Sequence, residues 1–200
     1  MGETRKAISF CEQALDIARE LGDKRTEGSW LGDLGYIYLD LGEALKAIPF
    51  CEQALDIARE VGDKRKEGLW LDNLGNAYLN LGETLKAVSL IEQALDIARE
   101  VGDRRHQAGA LGSLGNAYTN LRKLHEAIGL YGQALVIARE LGDRGTEGTV
   151  LLDMGSTSYE LEEKDKAIEL VKQALEIYAA MESPAAEKAR NKLKEWGVKE

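Results

Sequence analysis

Apolar and small residues fall at Leu71, Leu74, Gly75 and Tyr78, and again at Ala87, Ile91, Ala94, Leu95 and Ala98. Both runs step by three and four, which puts a stripe on each of two helices and is not the alternation of a strand. Leu81-Gly82-Glu83 separates the stripes, and Val101-Gly102-Asp103 follows the second. A glycine ends a helix by taking a left-handed conformation at little steric cost, and an Asp behind it can accept the unpaired amides of the next helix. The pattern predicts a hairpin of helix A and helix B, each of about 17 to 19 residues or roughly 27 Å.

The hairpin recurs at a spacing of forty positions. Leu-x-x-Leu/Met-Gly cores stand at Leu31, Leu71, Leu111 and Leu151, and Gln-Ala-Leu cores at Gln53, Gln93, Gln133 and Gln173. A fifth Gln-Ala-Leu, at Gln13, has no Leu-Gly core before it. The chain divides into a half repeat with one B-type helix (1–22), four whole repeats (23–62, 63–102, 103–142 and 143–182) and a divergent C-terminal segment (183–200). A fixed period of this size marks a solenoid, whose units bury their apolar faces only by stacking on one another.

Leu71-x-x-Leu74-Gly75-x-x-Tyr78 followed by Ala87-x-x-x-Ile91-x-x-Ala94 resembles the tetratricopeptide pattern. The same frame fits at Leu31, at Leu111 and, with Ser158 in the place of Tyr, at Leu151. Two departures stand out: the period is forty rather than thirty-four, and Arg59, Arg99 and Arg139 replace the helix-ending Pro. The longer period, with Leu-Gly-Asn at Leu74-Gly75-Asn76 and Leu114-Gly115-Asn116, is similar to Pins-type Leu-Gly-Asn adaptors, to kinesin light chain and to bacterial signalling proteins that join such arrays to nucleotide-binding switch domains. The resemblance implies an all-α right-handed superhelical solenoid of antiparallel helix pairs, about ten helices in all, whose A helices line a concave surface.

Charge and composition narrow the partners. Lys and Arg number 26 against 35 Asp and Glu, for a net charge of -9, which disfavours a phosphate backbone or an anionic membrane as partner. No apolar run is long enough to span a bilayer, and Met1 to Lys6 lacks the apolar core of a signal peptide, so a soluble cytoplasmic protein is expected. Cys11 and Cys51 align with Ile91, Tyr131 and Val171, which predicts buried thiols rather than a disulfide. His106 and His125 share no ligand spacing with Cys, Asp or Glu. No metal, cofactor or catalytic residue is expected.

Three local features break the repeat. Thr4 to Leu21 forms a B-type helix without its A partner, so its stripe of Ala7, Ile8, Cys11, Ala14, Leu15 and Ala18 is expected to be only partly covered. Such an end fits either a truncated array or self-association through this helix. Pro49 lies inside a B helix and removes one helical hydrogen bond, which predicts a kink near Leu45. After Met181, Ser183-Pro184 reads as a helix start, and Ala189, Leu193 and Trp196 give one apolar stripe, as in a capping helix over the last B helix.

Carried over residue by residue, the resemblance places candidate peptide-binding residues on the concave face. These are Asp33, Tyr36 and Asp40 in the first whole repeat; Asp72, Asn73, Asn76 and Asn80 in the second; Asn116 and Asn120 in the third; and Asp153 in the fourth. Asn pairs a donor with an acceptor, as the amide units of an extended peptide require, and it is otherwise unfavourable inside helices. Chaperone-binding members of the family clamp a C-terminal carboxylate with Lys and Arg; the comparable positions here hold Gly32, Asp72, Gly112 and Leu152, which argues against such a clamp. Arg25, Arg65, Lys66 and Arg105 are candidates for a basic rim, set against ordinary i to i+4 pairs such as Glu60–Lys64. Gly32 and Gly112 fall on the same face, marking either close helix packing or a hollow in the groove floor.

The expected function is a non-catalytic scaffold that holds an extended segment of a partner protein in its concave groove. The alternatives are a regulatory sensor that binds a small molecule or signalling peptide, and an array that self-assembles through its first helix.

Overall fold

A computed structural model of the chain describes residues 2–198, with side chains from Arg5 to Val198. Met1, Lys199 and Glu200, at the outer edges of the first and last segments, lie outside the described residues. Among the described residues there are ten helices: α1 (Gly2–Glu20), α2 (Lys24–Asp40), α3 (Ala44–Glu60), α4 (Lys64–Asn80), α5 (Thr84–Glu100), α6 (Arg104–Asn120), α7 (Leu124–Leu141), α8 (Arg144–Glu160), α9 (Lys164–Ala180) and α10 (Ala185–Glu195). The fold class is all-α.

The turns follow the predicted chemistry. Gly22, Gly42, Gly62, Gly82, Gly102 and Gly142 all take positive φ behind their helices; Arg122, Glu162 and Glu182 adopt the same conformation without being glycine, at φ of 61°, 64° and 51°. Asp23, Asp63 and Asp143 cap the A helices, their carboxylates accepting from the backbone N–H of Thr26, Lys66 and Thr146 at 3.1, 3.2 and 3.1 Å. Asp103 does the same for His106 at 3.2 Å.

The chain forms two compact units, residues 1–106 and 107–200. In the first, α2 packs on α1, α3 and α4, and α4 packs on α3 and α5. In the second, α8 packs on α7 and α9, and α10 packs on α9. Within a repeat, a glycine lets helix A and helix B touch backbone to side chain. A Cβ on Gly35 would stand 2.5 Å from Cys51 Sγ, one on Gly75 2.5 Å from Ile91 Cγ1, and one on Gly155 2.7 Å from Val171 Cγ2. Real Cβ atoms do not come so close, so these helices meet at this separation only because the side chain is missing. Cys51 is fully buried in that contact, and burial pushes its thiol up to about 12. Both cysteines are buried and free.

Between repeats the joint is ionic. Glu67 is buried at 9 % exposure and accepts from Arg59 at 3.1 Å and Lys64 at 2.7 Å, tying the end of α3 to the start of α4. Glu27 with Arg19 and Lys24 repeats the arrangement at 3.2 and 2.8 Å, and Glu147 with Arg139 and Arg144 at 2.9 and 2.5 Å. Lys64 therefore pairs with Glu67, one turn along its own helix, and not with Glu60 as spacing alone suggests. Arg59 and Arg139, two of the arginines that stand in the place of the family's proline, fasten one repeat to the next. In the remaining repeat Gln107 takes the glutamate's position, and Arg99 pairs with Asp96 at 3.6 Å.

Helix α3 continues through Pro49 and has the same 17-residue length as α5 and α9. The carbonyl that loses its helical donor belongs to Leu45, whose side chain is 75 % exposed, so the lost bond falls on the wet face of the helix. On α1, Cys11, Leu15 and Ala18 are buried, whereas Ala7, Phe10 and Ile17 are exposed, as is Leu21 just after it. At the other end Ala186, Ala189 and Leu193 of α10 join Leu151, Val171 and Ile177 in one cluster, and Trp196 stacks on Tyr159 with ring centroids 4.2 Å apart.

The buried carboxylates give a pH dependence. Burial opposes the charge on Glu67, but its bonds to Lys64 and Arg59 outweigh that and leave its carboxyl below the usual glutamate range. A carboxyl depressed in the folded state contributes stability above its unfolded pKa and loses that contribution as pH falls through its folded value. Glu67→Gln should therefore cost about 1–2 kcal/mol at neutral pH, with the difference from wild type shrinking below about pH 4. Urea denaturation across that range is the measurement; a difference that is flat with pH would remove the ionic account.

Candidate functional site

On the A helices of the first unit, the predicted residues separate into outward and inward sets. Asp33, Tyr36 and Asp40 on α2 are exposed, Tyr36 at 60 %, and Asn80 at the end of α4 is exposed too. Asn73 is buried, and Asp72 and Asn76 are half-buried. The Asn76 side-chain nitrogen donates to the Asp72 carbonyl one turn back at 3.0 Å, which fixes the direction of its amide.

The floor between α2 and α4 is closed. A Cβ at Gly32 would overlap the ring of Trp70, itself 4 % exposed, so the missing side chain makes room for an indole and not for a ligand. Gly112, in the second unit, is looser: a Cβ there would meet only Val150, at 3.7 Å. The basic rim is likewise committed within the first unit. Arg25 reaches the capping carboxylate of Asp63 at 3.8 Å, Arg65 reaches that of Asp103 at 3.9 Å, and the Lys66 ammonium donates to the Ser29 hydroxyl. Arg25 and Arg65 thus pair with the cap of the next A helix along, whereas Lys66 reaches back to the preceding one.

In the second unit the polar groups converge. Tyr131 lies on α7 at the position that is Cys51 or Ile91 in other B helices, and its ring passes over Gly115, where any Cβ would collide with it. The hydroxyl thereby crosses to the A-helix side and donates to the Asn116 side-chain oxygen at 2.6 Å. The Asn116 side chain in turn bonds the Asp153 carboxylate on α8. Thr119 lies 3.4 Å from the Tyr131 hydroxyl and 3.0 Å from the hydroxyl of Thr157, which also donates to the Asp153 carbonyl at 3.1 Å. The network joins one A helix, its B helix and the following A helix.

Its titratable groups are shifted by burial. Withdrawal from water pushes the Tyr131 phenol up to about 12, so it remains a hydrogen donor at physiological pH. The same cause raises the Asp153 carboxyl, while Lys188, the Asn116 bond and Lys192 pull it down. Asn120 sits exposed at the end of α6, outside the network.

Tyr131 and Thr157 were not among the residues picked out by the family frame, and Thr119, a groove position in that frame, was not among the candidate binding residues. Their signal lies in the repeat alignment: Thr119 replaces Leu39 and Leu79, Thr157 replaces Ile37, Ala77 and Ala117, and Tyr131 brings a hydroxyl to an otherwise apolar column. Among the described residues no group of three or more His, Cys, Asp or Glu could hold a metal ion, and no helix is long and apolar enough to cross a membrane.

Comparison with known proteins agrees with this architecture. The tetratricopeptide-repeat family model matches residues 26–100 and 106–180, and a model of anaphase-promoting complex subunit 5 matches the short stretch 1–27. No curated protein matches in sequence. Among solved structures, a Rap protein complexed with competence and sporulation factor superposes with a TM-score of 0.86 at 19% identity, over 94% of this chain and 53% of that one. BtubC from P. vanneervenii matches with a TM-score of 0.72 at 23% identity, over 88% of this chain and 74% of its own. A putative kinesin light chain from Podosopora anserina with nearly identical repeats matches at 0.65 and 20% identity, over 90% and 89%.

The tyrosine bond is open to direct test. Tyr131→Phe should cost about 1 kcal/mol in chemical denaturation and displace the Asn116 side-chain amide resonances in a ¹⁵N–¹H spectrum. If those resonances stay where they are, the tyrosine does not hold the amide.

Proposed function

We propose that this chain, which belongs to the tetratricopeptide-repeat family, is a non-catalytic, cytoplasmic scaffold that holds an extended segment of a partner protein against the faces of its A helices. The observation that supports this reading best is the Asn116 amide, whose oxygen is held by Tyr131 and whose nitrogen bonds Asp153. An amide nitrogen carries two hydrogens, so a donor of fixed direction is left for a peptide carbonyl. Fixing it in advance lowers the ordering cost of binding. Exposed Asp33 and Asp40 favour a segment that carries Lys or Arg. The Rap protein in the comparison was solved in complex with a factor, and a likeness of fold at 19% identity is compatible with a similar use here.

A second reading, self-association through α1, draws on the apolar stripe of Phe10, Ile17 and Leu21, which are 68%, 56% and 76% exposed. Both readings can be tested on one set of samples. Capture of partners from lysate, read by mass spectrometry, should lose a protein in Asn76→Ala with Asn116→Ala, reflecting about 1–3 kcal/mol per lost buried hydrogen bond, at a temperature where circular dichroism shows both proteins folded. The same proteins retained by both would rule out the A-helix face. Light scattering of the free chain that shows mass rising with concentration, and falling in Phe10→Glu with Ile17→Glu, would support self-association; constant mass would dismiss it.

A further inference from the structure

The surface between α9 and α10 carries a cleft of about 920 Å³ that the A-helix face does not involve. Its apolar part is Leu175, Leu193 and Val198; its charged edge is Lys172, Arg190 and Lys194. Glu187, the one acid in the lining, pairs with Arg190 at 3.3 Å.

Two comparisons within the chain say what such a cleft fits. The first concerns shape. Helix α10 packs on α9 as α4 packs on α3, so it occupies the place of an A helix. In α8, Leu151 and Ser158 are buried at 1% and 0% exposure, and Leu151 belongs to the cluster that includes Val171 of α9. Forty positions on, Asn191 and Val198 line the cleft. The opening therefore lies along the line that a B helix covers in a whole repeat, and its natural occupant is a helix. At 11 residues α10 offers about three turns of contact, roughly 16 Å.

The second comparison concerns charge. The position of Lys172 holds Glu12, Glu52, Glu92 and Gly132 in the other B helices, so the last one reverses the charge. Helix α10 adds Lys188, Arg190, Lys192 and Lys194 against Glu187 and Glu195, within a chain of net charge -9. A basic, apolar cleft on an acidic protein selects a ligand with the opposite charge and an apolar stripe.

We propose that this cleft docks an acidic amphipathic helix of a partner protein, with apolar side chains over Leu175, Leu193 and Val198 and carboxylates toward Lys172, Arg190 and Lys194. A fluorescein-labelled synthetic helix of about 18 residues, built from Leu, Ala and Glu with Leu at helical spacing, is the probe, and its counterpart with Lys for Glu is the control. In anisotropy titrations of the full chain the acidic helix should bind and the basic one should not. Lys172→Glu with Lys194→Glu, both on exposed side chains, should weaken binding by about tenfold or more, as should raising salt from about 50 to about 500 mM. Backbone amide shifts should gather on α9 and α10, and an unchanged melting temperature in the double variant would show that its fold is kept. Failure of the acidic helix to bind, equal binding of both helices, shifts confined to other helices, or binding to anionic lipid vesicles in place of the peptide would each overturn the assignment. Loss of the Asn76 and Asn116 amides should leave this titration unchanged, which separates it from the A-helix face.

Discussion

The close approach of helix A to helix B inside each repeat is the contact on which the rest depends. It needs a residue without a side chain at Gly35, Gly75, Gly115 and Gly155, and a partner sixteen positions later to fill the space: Cys51, Ile91, Tyr131 and Val171. The partner can change in size and chemistry because it packs against backbone, whereas the glycine cannot. That asymmetry explains why the glycine column is constant and the facing column holds a thiol, two aliphatics and a phenol. A tyrosine at this place becomes useful only because the glycine lets its ring through to the other side.

Regularity between repeats has a different origin. Two helices of 17 residues and two three-residue turns account for the forty-residue period, and the longer helices bring an arginine at the end of B within reach of a glutamate in the first turn of the next A. A buried carboxylate costs several kcal/mol unless it is paired and hydrogen-bonded. Glu27, Glu67 and Glu147 each have two cationic partners, so the joint holds its register at a modest net gain. The capping aspartates do double service: they satisfy helix amides and receive Arg25 and Arg65 from the preceding A helix.

Most of the fold was legible because it rests on local rules repeated several times. The three-and-four spacing, the Gly turns and the Asp caps each predict structure from a few neighbouring residues. What could not be read lay in contacts between helices. Lys64 has Glu60 and Glu67 at suitable spacings along the sequence, but Glu60 closes α3 across the turn and the pair forms with Glu67 on its own helix. Gly32 looked like either a gap or a contact until Trp70, 38 positions away, was seen to fill it. The asparagines were found by type and position, but their hydrogen-bond partners were not, since Tyr131 reaches Asn116 from a different helix.

In a chain of near-copies, the informative residues are the departures that occur together. One threonine in an apolar column can be drift; Thr119, Thr157 and Tyr131 are three polar departures that meet around one amide. Thr119 and Thr157 each donate to a carbonyl one turn back in their own helices, whereas the Tyr131 hydroxyl, buried without a partner, would cost about 1–3 kcal/mol. The Tyr131 hydroxyl finds its partner in Asn116 and holds that amide in a single orientation. The same logic applies at Lys172, where a column that holds Glu12, Glu52, Glu92 and Gly132 becomes a lysine on the helix that α10 covers. A duplicated array begins with equivalent faces, and it acquires distinct sites only where several columns depart within reach of one another. By that criterion the second unit carries two such places: the amide network on its A helices and the basic cleft at α10.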